Sequence, residues 1–112
     1  MRMRKKKNLQ PRMEACGRLL IPQPQALRGN WRSLFPQAKK LEVELGCGKG
    51  RFTAGTAAAQ PDTLLIAVEK VPNAMVVAME RVKNERLENV FFIDADAALL
   101  PELFAPGEVD RL

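Results

Sequence analysis

The stretch LEVELGCGKGRF, residues 41 to 52, places Gly46, Gly48 and Gly50 at alternating positions, with the carboxylate of Glu44 just before them and the cations Lys49 and Arg51 among and behind them. Glycine lets a backbone approach a ligand closely, and a glycine loop after an apolar stretch belongs to one of a few chemistries. A nucleotide triphosphate loop requires four residues between its first glycine and a Gly-Lys-Ser/Thr. Lys49 does follow Gly48, but Gly50 stands where the hydroxyl residue belongs. A dinucleotide fingerprint requires a small residue at position 51, for helix-to-sheet packing, and Arg51 fills it with a long cation.

What remains is acid-x-Gly-x-Gly-x-Gly, matched at Glu44, Gly46, Gly48 and Gly50. This is the pattern of loops that hold S-adenosyl-L-methionine. The methionyl end of that cofactor carries an ammonium, which suits an anionic side chain at a strand end, and a carboxylate, which suits backbone N–H groups of a glycine turn. Its ribose offers two hydroxyls, and Glu69, 19 residues after Gly50, stands where an acid closing the second strand would accept them. Its adenine needs an acceptor for the exocyclic amine, and Asp96 follows the third apolar run. A single carboxylate at a strand end is often only a solvated turn residue; three at successive strand ends form a pattern. Cys47 reads as a small filler in a tight loop.

The elements that must position these residues are legible from residue 40 onward, where periods of two and of 3.6 alternate. KLEVELG reads as a strand, RFTAGTAAAQ as a short helix that stops before Pro61, and TLLIAVEK as a buried strand. PNAMVVAMERVKNERL reads as a helix with Pro72 in its first turn and Met75, Met79 and Val82 on one face. NVFFIDAD is a third strand, a short helix is expected around Pro101 to Phe104, and EVDRL begins like a fourth strand. This order predicts an α/β fold, a doubly wound, Rossmann-like parallel sheet with helices on both faces and the glycine loop at the carboxyl end of its first strand.

Charge divides the chain. Residues 1–40 hold 11 Lys or Arg against one acid, Glu14, whereas residues 41–112 hold 7 against 12. The first 18 residues read as a mobile basic arm suited to a polyanion, with Arg2, Arg4, Lys5, Lys6 and Lys7 as candidate RNA-backbone contacts. Residues 19–39, broken by Pro22, Pro24 and Gly29, read as a connector with one short helix near NWRSLF, where Asn30 is a candidate N-cap and Trp31 a candidate core residue. Residues 40–112 form the candidate cofactor-binding domain. Apolar runs are too short to span a bilayer, no secretory leader is visible, histidine is absent and the two cysteines, Cys16 and Cys47, have no zinc spacing. A cytoplasmic protein without membrane or metal partners is expected.

Beyond the loop, MRMRKKKNL, GNWRSLF, VELGCGKGRF, AVEKVPNAMVVAMERVK, NVFFIDADA and LFAPGEVDRL, in that order, resemble the amino-terminal half of bacterial tRNA (guanine-N7-)-methyltransferases. The resemblance covers nearly the whole chain. It implies a class I methyltransferase that transfers a methyl group from S-adenosyl-L-methionine to N7 of a guanine in the tRNA variable region. It further implies that Glu44, Glu69 and Asp96 contact the cofactor while Gly46, Cys47, Gly48 and Ala97 supply backbone. The family continues past EVDRL into an Asp-Pro-Trp-Pro segment, so the resemblance implies a domain truncated in its fourth strand, inactive alone and without a catalytic residue among these positions. A non-catalytic fragment that binds cofactor or RNA is the competing expectation.

Overall fold

The structure, a computed structural model, describes residues 8–112. Three parallel strands form its sheet in the order β1-β2-β3: β1 (Lys40–Leu45), β2 (Thr63–Glu69) and β3 (Val90–Asp94). Between them lie α2 (Arg51–Ala59) and α3 (Pro72–Asn84), preceded by α1 (Leu9–Ala15) and followed by the single turn α4 (Leu100–Leu103). The βαβαβ order expected from the alternating periods is therefore present, and all three strand ends that carry candidate acids point the same way.

Alternation along the strands sorts the core into two layers. Leu65, Ala67, Val90 and Phe92 pack beneath Ala57, Met75, Ala78, Met79 and Val82 of the helices. Leu41, Val43, Leu64, Ile66, Val68 and Ile93 face the opposite side, which the connector covers with Ile21 and Trp31 and α4 extends with Leu103 and Phe104. That second layer is built mainly from 3-10 turns, Pro24–Leu27 and Trp31–Leu34, rather than from long helices. Trp31 is fully buried, stacks on Phe104 with ring centroids 4.9 Å apart and donates its indole N–H to the Leu103 carbonyl at 2.7 Å.

Three expectations change. The basic arm does not extend to residue 18: Leu9–Ala15 is helical and packs on α3, with Met13, Cys16, Leu19 and Leu20 on the core and Arg12 paired with Glu80 at 2.5 Å. Apolar residues three apart decide this in spite of the basic composition. Asn30 makes no side-chain cap; the Glu108 carboxylate accepts from the Gly29 and Trp31 N–H groups at 2.8 and 3.1 Å instead. EVDRL contributes one parallel bridge, Glu42 to Arg111, with Val43 N–H donating to the Arg111 carbonyl at 2.9 Å and Asp110 N–H to the Leu41 carbonyl at 2.8 Å. The chain thus passes beside β1, where a fourth strand of this topology belongs. Arg2, Arg4, Lys5, Lys6 and Lys7 lie outside the described residues.

Candidate functional site

The turn between β1 and α2 exists because its glycines accept a backbone that other residues avoid. Gly46, Gly48 and Gly50 have φ of 73°, 53° and 83°. Gly50 is doubly constrained, since a Cβ there would lie 2.5 Å from the Ala78 α-carbon. The loop is therefore pressed onto α3, which ties the first strand end to the helix that leaves the second. The N–H groups of all three glycines are used internally: Gly46 to the Val68 carbonyl at 2.8 Å, Gly48 to Glu69 Oε1 at 3.3 Å and Gly50 to the Cys47 carbonyl at 2.9 Å.

Glu69 ends β2 and gathers the turn around itself. Its Oε2 accepts from the N–H groups of Lys70 and Val71 at 3.0 and 3.2 Å, which fixes the turn leading into α3. The Cys47 thiol lies 3.9 Å from Glu69 Oε1. Burial first, and then the charges of Glu69 and Glu44, push that thiol up to about 12, which leaves it protonated and unreactive near neutral pH.

Asp96 follows β3 and opens a 3-10 turn, Ala97–Leu99. One carboxylate oxygen accepts from Ala98 N–H at 2.9 Å and the other faces Lys70 Nζ at 3.7 Å. The backbone hydrogen bond, then the Lys70 charge, hold its carboxyl below the usual range. A cleft of about 150 Å³ at the strand ends is bordered by Gly46, Glu69, Lys70, Asp96 and Ala97.

Glu44 stands apart from this cleft. Its side chain faces α2, where one oxygen accepts from the Thr53 hydroxyl, and it borders a larger cavity of about 500 Å³ along the edge of β1, with Phe52 and Thr56. Leu45 borders both cavities. Glu44 Oε2 is buried and has no hydrogen-bond partner among the described residues. Burial raises the Glu44 carboxyl above its ordinary value, opposed by the Thr53 hydrogen bond. A buried acceptor lacking a donor is costly.

A family model described as "Putative methyltransferase" matches residues 38–112. The chain belongs to this methyltransferase family. The chain is 38% identical to tRNA (guanine-N(7)-)-methyltransferase of Geobacillus kaustophilus over 112 residues, all of this chain and 52% of the relative. It is 40% identical to the protein of that name in Halalkalibacterium halodurans over 94 residues, 84% of this chain and 43% of the relative. It spans about half the length of the curated relatives it matches. Among solved structures, the antibiotic-resistance methyltransferase Kmr superposes with a TM-score of 0.53 at 27% identity, over 62% of this chain and 37% of that one.

Of the sequence-derived candidates, Gly46, Glu69, Asp96 and Ala97 share one cleft, Cys47 and Gly48 join it through Glu69, and Glu44 faces Thr53 and the other cavity. Sequence reasoning missed Thr53 and Lys70. Thr53, nine residues after Glu44, lies in the first turn of α2, and Lys70 directly follows Glu69, so both were findable as polar neighbours of a candidate acid once the elements were placed. No group of three or more His, Cys, Asp or Glu arranged to hold a metal occurs among the described residues. No helix among them is long and apolar enough to cross a membrane.

Proposed function

We propose that this chain forms the S-adenosyl-L-methionine-binding part of a tRNA (guanine-N7-)-methyltransferase. The observation that carries the reading is that Glu69 and Asp96, at the ends of two adjacent parallel strands, share one cleft with the glycine loop, while Glu44, near the end of the third, holds a buried oxygen without a donor on the α2 side. The names of the curated relatives support the choice of tRNA and of guanine N7.

The residues present fit the cofactor. Glu44 Oε2 accepts from the ammonium, which supplies the missing donor. Glu69 keeps its two shorter bonds to Lys70 and Val71 and exchanges the 3.3 Å contact with Gly48 for ribose hydroxyls. Asp96 holds Ala98 with one oxygen and offers the other, now facing Lys70, to the adenine amine. Cys47, Gly48 and Ala97 present backbone at the rim, and Gly46 sets the turn through its conformation. When bound, the cofactor supplies an electrophilic methyl group on a sulfonium.

Guanine N7 bears a lone pair and no proton, so accepting the methyl group would need no general base. What this chain contributes is alignment, the largest resource available to such a displacement. Arg2, Arg4, Lys5, Lys6 and Lys7 contact the tRNA phosphates rather than read bases, and a tRNA substrate places the protein in the cytoplasm. The test is methyl transfer from labelled cofactor to unmodified tRNA transcripts, by a protein in which this chain is joined to the remaining half of one of its full-length relatives, followed by mapping of N7-methylguanosine through aniline-sensitive strand cleavage. Label that enters tRNA at guanine N7 is the expected result; label at another atom, or none from the protein, contradicts the assignment.

A further inference from the structure

Three cations meet at the outer side of the glycine loop. Lys49 lies in the loop and is exposed, Arg51 is the first residue of α2 and is exposed, and half-buried Arg81 of α3 donates its Nε–H to the Lys49 carbonyl at 3.4 Å. None of the three takes part in an ion pair among the described residues. Their placement runs against local electrostatics. Like charges are brought together, and Lys49 and Arg51 stand at the positive end of α2, where acids are favoured and where this helix has none in its first turn. Positions that break a local rule without an internal compensation are where an external partner is expected.

Arg18 and Lys83 are exposed as well. The acids of this stretch are partly committed: Glu80 is paired with Arg12, Glu14 accepts from Gln10 at 3.3 Å, and Glu85 is exposed.

We infer that Lys49, Arg51 and Arg81 form an RNA-backbone contact beside the cofactor loop. The track fits a phosphodiester chain because it groups three cations that take part in no ion pair among the described residues. It rests on the proposed tRNA reading and brings RNA contact to the rim of the site. Phosphate contacts of this kind position the substrate and carry no base information.

The experiment compares the protein with a Lys49→Gln, Arg51→Gln, Arg81→Gln triple variant, using an unmodified tRNA transcript as the probe across a salt series. A Lys39→Gln, Lys40→Gln variant, altered at the opposite end of β1, serves as the charge control. The triple variant should flatten the dependence of log affinity on log salt by about 2 units, at roughly 0.7 to 0.9 for each phosphate no longer neutralised, and the control should not. A slope equal to that of the unaltered protein, an equal loss in the control, or a loss confined to binding of phosphatidylserine vesicles overturns the inference. Calorimetry with S-adenosyl-L-methionine on the same samples separates the two proposals. Failure of the unaltered protein to bind cofactor removes the proposed function, whereas intact cofactor binding with an unmoved salt slope removes only the track.

Discussion

Glu44 is caught between two demands. Its carboxylate sits against α2 with one oxygen held by Thr53 and the other buried without a donor, so the fold tolerates the charge rather than benefiting from it. Because burial raises the carboxyl's pKa, the folded chain binds more protons than the unfolded one between the two values. The contribution to stability is therefore greatest below the ordinary carboxylate pKa and is lost as pH rises through the raised one. Glu44→Gln should remove that dependence and raise the urea midpoint at neutral pH, while weakening S-adenosyl-L-methionine by at least about tenfold, since hydrogen bonds to charged groups contribute roughly 1.5 to 3 kcal/mol. Denaturation at several pH values and calorimetry on one preparation check both effects; a lowered midpoint together with unchanged affinity would make Glu44 a structural residue. At this scale the sequence exposed the residue types but not their commitments. Glu44, Glu69 and Asp96 could be picked out by spacing, yet that Glu69 holds the Lys70–Val71 turn and that Lys70 faces Asp96 depends on side-chain directions set by tertiary contact.

Among the elements, the second layer depends on a single carboxylate. Glu108 accepts from the N–H groups of Gly29, Trp31 and Ala105 at 2.8, 3.1 and 2.9 Å, and so fastens the connector's 3-10 turns to the segment that passes β1. Asp110 adds to it by accepting from Leu41 N–H at 2.8 Å and Arg32 at 2.6 Å. Glu108→Ala leaves three donors without their partner, one of them on the backbone of fully buried Trp31, and should cost about 3 kcal/mol. Chemical denaturation followed by Trp31 fluorescence measures it, and a loss below about 0.5 kcal/mol would mean that solvent replaces the carboxylate. The strands and the two long helices were legible because apolar period and length agree there, and Pro72 marks a helix start. The connector was not. Its turns are held by distant partners, Gly29 and Trp31 reaching Glu108 across 79 and 77 residues of sequence, and no local pattern encodes such a partner. Helix α1 was hidden for a different reason: basic composition masks three-residue spacing in so short a segment.

For the molecule as a whole, the sheet separates two tasks. One end of its three parallel strands carries the glycine loop, Glu69 and Asp96, and Lys49, Arg51 and Arg81 stand on the outer side of that loop. These cations lie in residues 41–112, where acids outnumber bases, so the charge asymmetry of the composition did not point to them. The neighbouring strand of β1 is only begun at Asp110 and Arg111, while the exposed Phe52 and Leu45 border the cavity along that edge. The central claim is that the strand-end acids bind S-adenosyl-L-methionine, and calorimetric titration of the protein with that cofactor and, in parallel, with NAD, repeated on Glu69→Ala, tests it most directly. Saturable one-to-one binding of S-adenosyl-L-methionine alone is predicted, weakened about tenfold to a hundredfold by the substitution. Binding of NAD in preference, or a dissociation constant that Glu69→Ala leaves unchanged, would contradict it.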